Sequence, residues 1–190
     1  RRTGVMIGDV SSHGYRAALI MALAMSASAI HAQTTVDAAE TLSALLASLR
    51  DELESTEMFI TVFYGVIDPT AGLLRYANTG HPHAFIISSE GRVSRLPALD
   101  PPLGMTTGRP DGASRAWRRG SDLLLLFTDG VSDARNDAGV RLGEQPVLDI
   151  VTRYRHEPTS AILERVFDAL RSHVGESPRP DDLALVIVRN

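Results

Sequence analysis

The hydrophobic pattern changes period four times along the chain. Residues 4–9 form a short apolar run, read as a buried strand that ends at Asp9. Residues 13–33 are rich in alanine, leucine and methionine. They are apolar nearly all round, which predicts a helix buried on several sides. Residues 36–54 place Ala38, Leu42, Leu45, Leu46 and Leu49 at helical spacing, with Thr35 as the expected N-cap. The two segments predict a helix hairpin. From residue 58 to 67 the pattern becomes that of a strand, with Ile60, Val62, Phe63, Tyr64 and Val66. Asp68-Pro69-Thr70-Ala71-Gly72 predicts a hairpin turn, and residues 73–77 its return strand. Strands at 84–88 and 92–96 continue the meander around Asn78-Thr79-Gly80-His81-Pro82 and Ser89-Glu90-Gly91. Residues 97–112 carry four prolines and three glycines and predict a long loop. A weak strand at 113–118 and a strong one at 122–127 follow. Helices are expected at 142–154 and 159–174, then a final apolar strand at 183–188, placed at the centre of a sheet. Grouped strands with helices in separated pairs predict an α+β fold.

Composition narrows the setting. A chain of 190 residues suits one domain, 1–190, with a substantial core. The net charge is -4 and no basic block appears, so nucleic acid is not an expected partner. There is no cysteine, which excludes disulfides, thiolate nucleophiles and zinc–thiolate sites and fits a reducing compartment. The longest apolar stretch, residues 17–30, is broken by serines and is shorter than the roughly 20 residues of a membrane span. No signal-peptide pattern is visible, and the expected location is the cytoplasm. The chain enters a strand almost at once after Arg1-Arg2-Thr3. Its start is therefore expected to be a cut inside the domain, with one or more N-terminal strands missing.

Aspartates stand at strand boundaries. Asp9 lies in Gly8-Asp9-Val10-Ser11-Ser12-His13-Gly14, Asp129 in Thr128-Asp129-Gly130, and Asp181 in Asp181-Asp182-Leu183. A carboxylate at a strand end is pinned by the scaffold while its oxygens face a cleft. Magnesium and manganese prefer such oxygens, and a two-metal site activates water and clamps a phosphoryl group. The expectation is that Asp9, Asp129 and Asp181 converge on divalent cations. Commoner roles stand beside each: a turn former or helix cap for Asp9, a turn for Asp129, a strand cap for either Asp181 or Asp182. His13 suits proton transfer or a hydrogen bond to the turn backbone. His81 and His83 read as structural, Met21 and Met25 as core, and Asp122 and Asp133 as solvated turn residues. Arg115, Arg118 and Arg119 read as a solvated face. Ser11 and Ser12 have no histidine–acid partner at a recognisable spacing, which disfavours a serine nucleophile.

The chain resembles the metal-dependent (PPM-type) serine/threonine protein phosphatases, in the bacterial branch of sporulation and stress-response regulators. The resemblance spans nearly the whole chain. It rests on the Asp9 segment, Met58-Phe59-Ile60-Thr61, Tyr76-Ala77-Asn78-Thr79-Gly80-His81, Pro101-Pro102-Leu103-Gly104, Phe127-Thr128-Asp129-Gly130-Val131 and Asp181-Asp182-Leu183. One such motif is weak; six in order are strong. The resemblance implies two packed antiparallel sheets flanked by helix pairs, an α-β-β-α sandwich. It implies that Asp9 bridges two manganese or magnesium ions, that the Val10 carbonyl contributes to one, and that Asp129 and Asp181 hold the other. The implied reaction is attack of metal-activated water on a phosphoserine or phosphothreonine. The implied substrate is a phosphorylated anti-sigma-factor antagonist, with an upstream sensor domain and a homodimer as further expected partners. Ser12 stands where the family usually has glycine, and Ala184 where threonine is common. The family's Gly-Gly-Asp strand, whose aspartate completes the second metal site, precedes the point where this sequence starts. The competing functions are a catalytically inactive interaction module and a hydrolase of small phosphates.

Overall fold

The computed structural model describes residues 2–175 and 182–190. In chain order the elements are β1 (Thr3–Val10), α1 (Tyr15–His31), α2 (Ala38–Thr56), β2 (Ile60–Asp68), β3 (Leu73–Thr79), β4 (His83–Ile87), β5 (Val93–Arg95), β6 (Ala113–Ala116), β7 (Leu123–Phe127), α3 (Asp129–Ser132), α4 (Gln145–Arg153), α5 (Thr159–Val174) and β8 (Leu185–Val188). They fall into two compact units. Residues 1–81 and 97–117 make the first, and residues 82–96 and 118–190 the second.

The first unit is a four-stranded sheet in the order β1-β2-β3-β6, antiparallel throughout. Alternation along β2 sends Ile60, Val62, Tyr64 and Val66 to one face, where they meet Leu42, Leu45, Leu49 and Leu53 of α2 and Ile20 and Ala24 of α1. The true N-cap of α2 is Asp37, whose Oδ1 accepts from the N–H groups of Ala39 (2.8 Å) and Glu40 (3.1 Å). Thr35, the expected cap, sits two residues earlier and braces it: its hydroxyl accepts from Asp37 N–H and donates to Glu40.

The second unit is a sheet in the order β5-β4-β7-β8, again antiparallel. Phe85, Ile87, Leu123, Leu125 and Phe127 cluster with Val147 and Val151 of α4 and Ile162 and Val166 of α5. The fold class is thus α+β as expected, with an antiparallel sheet and a helix pair in each unit.

Four expectations are corrected. β8 is an edge strand, not a central one: β7 pairs it on one side and its four residues are only half-buried. α1 is not buried on several sides, since Ala17, Ile20, Ala24 and Ser28 form its only buried stripe, while Tyr15, Leu19, Leu23 and Ile30 are exposed. Met25 is therefore not core but 63% exposed. Asp122 is not solvated; it is 5% exposed, and its Oδ2 accepts from Arg118 N–H at 2.8 Å to close the turn into β7. Among the described residues, no helix is long and apolar enough to cross a membrane.

Candidate metal centre

In the first unit, Asp9 is the penultimate residue of β1, opposite Thr61 of β2. Gly8, just before it, is required by close approach: a Cβ there would stand 2.8 Å from the Thr61 carbonyl oxygen. The chain then leaves the sheet in a sewn turn. Ser11 N–H donates to Phe59 O (2.9 Å), Phe59 N–H donates to Ser11 Oγ (3.0 Å), and Ser12 N–H donates to Val10 O (2.7 Å). The Val10 carbonyl keeps a second lone pair for another partner. Asp9 and His13 are exposed. The same unit explains two further motifs as braces. Asn78, fully buried, donates to His81 O (3.0 Å) and accepts from His81 N–H (2.8 Å), while its carbonyl accepts from Leu99 N–H (2.8 Å). Leu103 and Ile60 exchange two backbone hydrogen bonds, at 2.8 and 2.9 Å. The loop of residues 97–112 is thereby tied to β2 and β3.

In the second unit, five buried residues of β7 lead straight to Thr128. Its N–H donates to Ala184 O (3.0 Å). Its hydroxyl donates to Asp182 O (3.1 Å) and accepts from Ala184 N–H (3.1 Å). The turn that carries Asp129 is clasped in this way to the segment that carries Asp182. The approach is close enough that a Cβ on Gly130 would stand 2.4 Å from the Asp182 carbonyl oxygen. Asp129 then opens α3, a single turn absent from the sequence reading. Its carboxylate is exposed and, among the described residues, accepts no hydrogen bond, while its carbonyl accepts from Asp133 N–H (2.7 Å) and Ser132 Oγ (3.1 Å). Asp181 lies outside the described residues; Asp182, beside it, is exposed.

Sequence reasoning treated His83 as structural and missed what it touches. The residue opens β4, and register places it opposite Phe127. Its ring stacks on Phe127 with centroids 4.4 Å apart and planes 9° apart. Nε2 stands 2.9 Å from Ser132 Oγ, and Nδ1 stands 3.3 Å from Glu144 Oε2. Arg95 donates to the other Glu144 oxygen at 2.5 Å and to Pro82 O at 2.7 Å. Burial pushes the His83 pKa below the usual imidazole range, against the pull of Glu144. The signal available in the sequence was the β4–β7 pairing, hidden because the strand was read as starting one residue later.

Among the described residues no three His, Asp or Glu side chains form a ready cation site. What each unit does offer is an exposed carboxylate on a braced strand end, the oxygen chemistry that hard divalent ions take.

The sequence model of the family described as Stage II sporulation protein E (SpoIIE) matches residues 1–190. Among relatives, protein IcfG of Synechocystis is 34% identical over 131 residues, covering 69% of this chain and 20% of that protein. The phosphoserine phosphatase RsbP of Bacillus subtilis is 27% identical over 190 residues, covering 98% and 45%. The chain thus spans between a fifth and about half the length of these relatives. Among solved structures, the SiaA-PP2C domain of Pseudomonas aeruginosa superposes with a TM-score of 0.85 at 20% identity, covering 100% of this chain and 80% of that one. The catalytic domain of serine/threonine phosphatase PstP, in complex with two manganese ions, gives a TM-score of 0.70 at 16% identity, covering 97% and 86%. The fold is that of the PP2C-type, metal-dependent phosphatases. The chain belongs to the SpoIIE family, whose model matches it end to end.

Proposed function

We propose that this chain is a phosphatase domain that removes phosphate from a phosphoserine or phosphothreonine of a regulatory protein. Asp9 with the Val10 carbonyl, and Asp129 with Asp181, are the proposed ligands of manganese or magnesium, two ions in the complete domain. When bound, such ions lower the pKa of water and neutralise charge on a phosphoryl group. The chain's own residues supply the rest. Carboxylates on fixed strand ends hold a hard cation without a cost for reordering the loop. The single observation that carries the reading is the Thr128 clasp. It holds the Asp129 turn against Asp182 and Ala184, which supports one site for both motifs. The exposed Asp129 carboxylate, unused in internal bonding among the described residues, supports a role toward a ligand.

The names of RsbP and RsbU, both phosphoserine phosphatases, support the reaction class. A solved structure of RsbU and RsbW domains from Mycobacterium tuberculosis supports a setting in sigma-factor control. The proposed substrate is accordingly a phosphorylated anti-sigma-factor antagonist, and the setting a cytoplasmic signalling protein with an upstream sensor and a dimeric partner.

The test is phosphate release from a phosphoserine protein and from a small phosphate ester, with and without manganese, by the protein and its Asp129→Asn variant. The expected result is manganese-dependent release from the phosphoprotein, lost in Asp129→Asn while the fold survives. No release under any metal would favour an inactive interaction module. Equal preference for the small ester would point to a small-phosphate hydrolase.

A further inference from the structure

The turn that carries Asp129 has a polar support that no motif of the chain describes. α3 is one turn long, so few helical hydrogen bonds fix the direction in which Asp129 points. The Asp129 carbonyl receives a side-chain bond from Ser132 Oγ at 3.1 Å. Ser132 is 6% exposed; with its one proton given to the Asp129 carbonyl, its oxygen accepts from an N–H at His83 Nε2, 2.9 Å away. His83 is held from three sides: the Phe127 ring beneath it, Glu144 at Nδ1, and Arg95 behind Glu144. Arg95 is anchored on its own side, with its guanidinium 4.6 Å from the Phe85 ring centre. A continuous chain of contacts therefore runs from β5 through Glu144, just before α4, and β4 to the backbone of Asp129.

We infer that His83 is a positioning residue for Asp129, acting through the Ser132 hydroxyl to fix the aim of that carboxylate. This rests on the proposed role of Asp129 as a cation ligand. The physical reason is geometric. A carbonyl held in place fixes the peptide plane after Asp129, and with it the direction of the Cα–Cβ bond. A ligand that must find its aim on binding holds its ion more weakly than one aimed in advance. A purely structural histidine would also need partners for its buried nitrogens, so the readout that separates the two roles is manganese affinity.

The test is manganese titration of the whole protein, followed by the electron paramagnetic resonance of free Mn2+, with phosphate release measured in parallel. His83→Phe keeps a flat ring on Phe127 and removes both polar contacts. It should weaken manganese binding about 10-fold or more, the size of effect seen when a ligand's support is removed. Release at saturating manganese should recover. His83→Gln, whose amide reaches the position of Nε2, should restore most of the affinity. Ser132→Ala should match His83→Phe, and the double variant should lose no more than either alone. Should His83→Phe fail to fold, Ser132→Ala with Ser132→Thr as its rescue carries the same test. Wild-type manganese affinity in His83→Phe or Ser132→Ala overturns the inference while leaving the phosphatase reading intact. Equal weakness in His83→Phe and His83→Gln also overturns it, since the contact to Ser132 would then not matter. Wild-type affinity in Asp129→Asn overturns the ligand assignment itself, and the inference with it.

Discussion

At the scale of single residues, Asp68 shows how strongly one carboxylate is used. Arg2 Nε donates to its Oδ2 at 2.8 Å, and the N–H groups of Ala71 and Thr70 donate to Oδ1 at 3.0 and 3.2 Å. Led by the Arg2 contact, these hold its pKa down from 3.8 to about 2. The folded state therefore favours the ionised form. Its contribution is present above the unfolded value and lost as pH falls toward about 2. Asp68→Asn should lower the melting temperature at pH 7, and the gap should close as both proteins are melted at successively lower pH. Thr128 makes a second case. Thr128→Val keeps the shape but removes the hydroxyl's two hydrogen bonds, to Asp182 O and from Ala184 N–H. A loss of about 1–3 kcal/mol in urea unfolding is expected, together with weaker manganese binding. Unchanged stability would mean that water replaces the hydroxyl. The Thr128-Asp129-Gly130 turn was legible as a turn, and the resemblance alone singled out Asp129 within it. The clasp was not, because it joins residues 54 apart in sequence through groups that any threonine and any backbone possess.

At the scale of elements, the two long helices differ in how well their sequences foretold them. α2 carries a stripe of leucines with polar residues elsewhere, and the stripe is the buried face: Leu42 and Leu45 are fully enclosed. Leu45→Ala should cost about 2–5 kcal/mol, measured by chemical denaturation. α1 is apolar on every side, so periodicity names no face, and burial on several sides was the natural expectation. Only the register with β1 and β2 decides that Ile20 and Ala24 point inward. Leu19 is half exposed, and Leu19→Ala should change stability by no more than about 0.5 kcal/mol. The strands were legible to within a residue or two because β-branched and aromatic runs alternate with Gly/Pro/Asn turns. The position of β8 at a sheet edge was not, since a run as apolar as Leu185–Val188 reads the same at the centre or the rim. The loop of residues 97–112 was read correctly as irregular, yet its ties to Asn78 and Ile60 depend on buried partners far away in sequence.

At the scale of the whole molecule, cation binding and folding are linked. A ligand that binds only the folded state stabilises it by RT ln(1 + [L]/Kd), about 2.7 kcal/mol at a hundredfold excess over Kd. Manganese should raise the melting temperature of the protein and leave that of Asp129→Asn nearly unmoved; an equal rise in both would detach Asp129 from the cation. The path of the chain carries a different consequence. It passes from one unit to the other after His81, after Leu96 and after Trp117. During synthesis the first unit has its four described strands once β6 emerges, at Ala113–Ala116. By then the β4–β5 hairpin has already left the ribosome with one edge of β4 unpaired. That edge waits for β7, and β7 waits for β8, which occupies Leu185–Val188. Units tend to close in the order in which they are made. A nascent chain arrested with everything up to Trp117 exposed should therefore resist protease through residues 2–81 and 97–117 while residues 82–96 are cut, and release of residues 118–190 should close the second unit and bury the sites of cleavage.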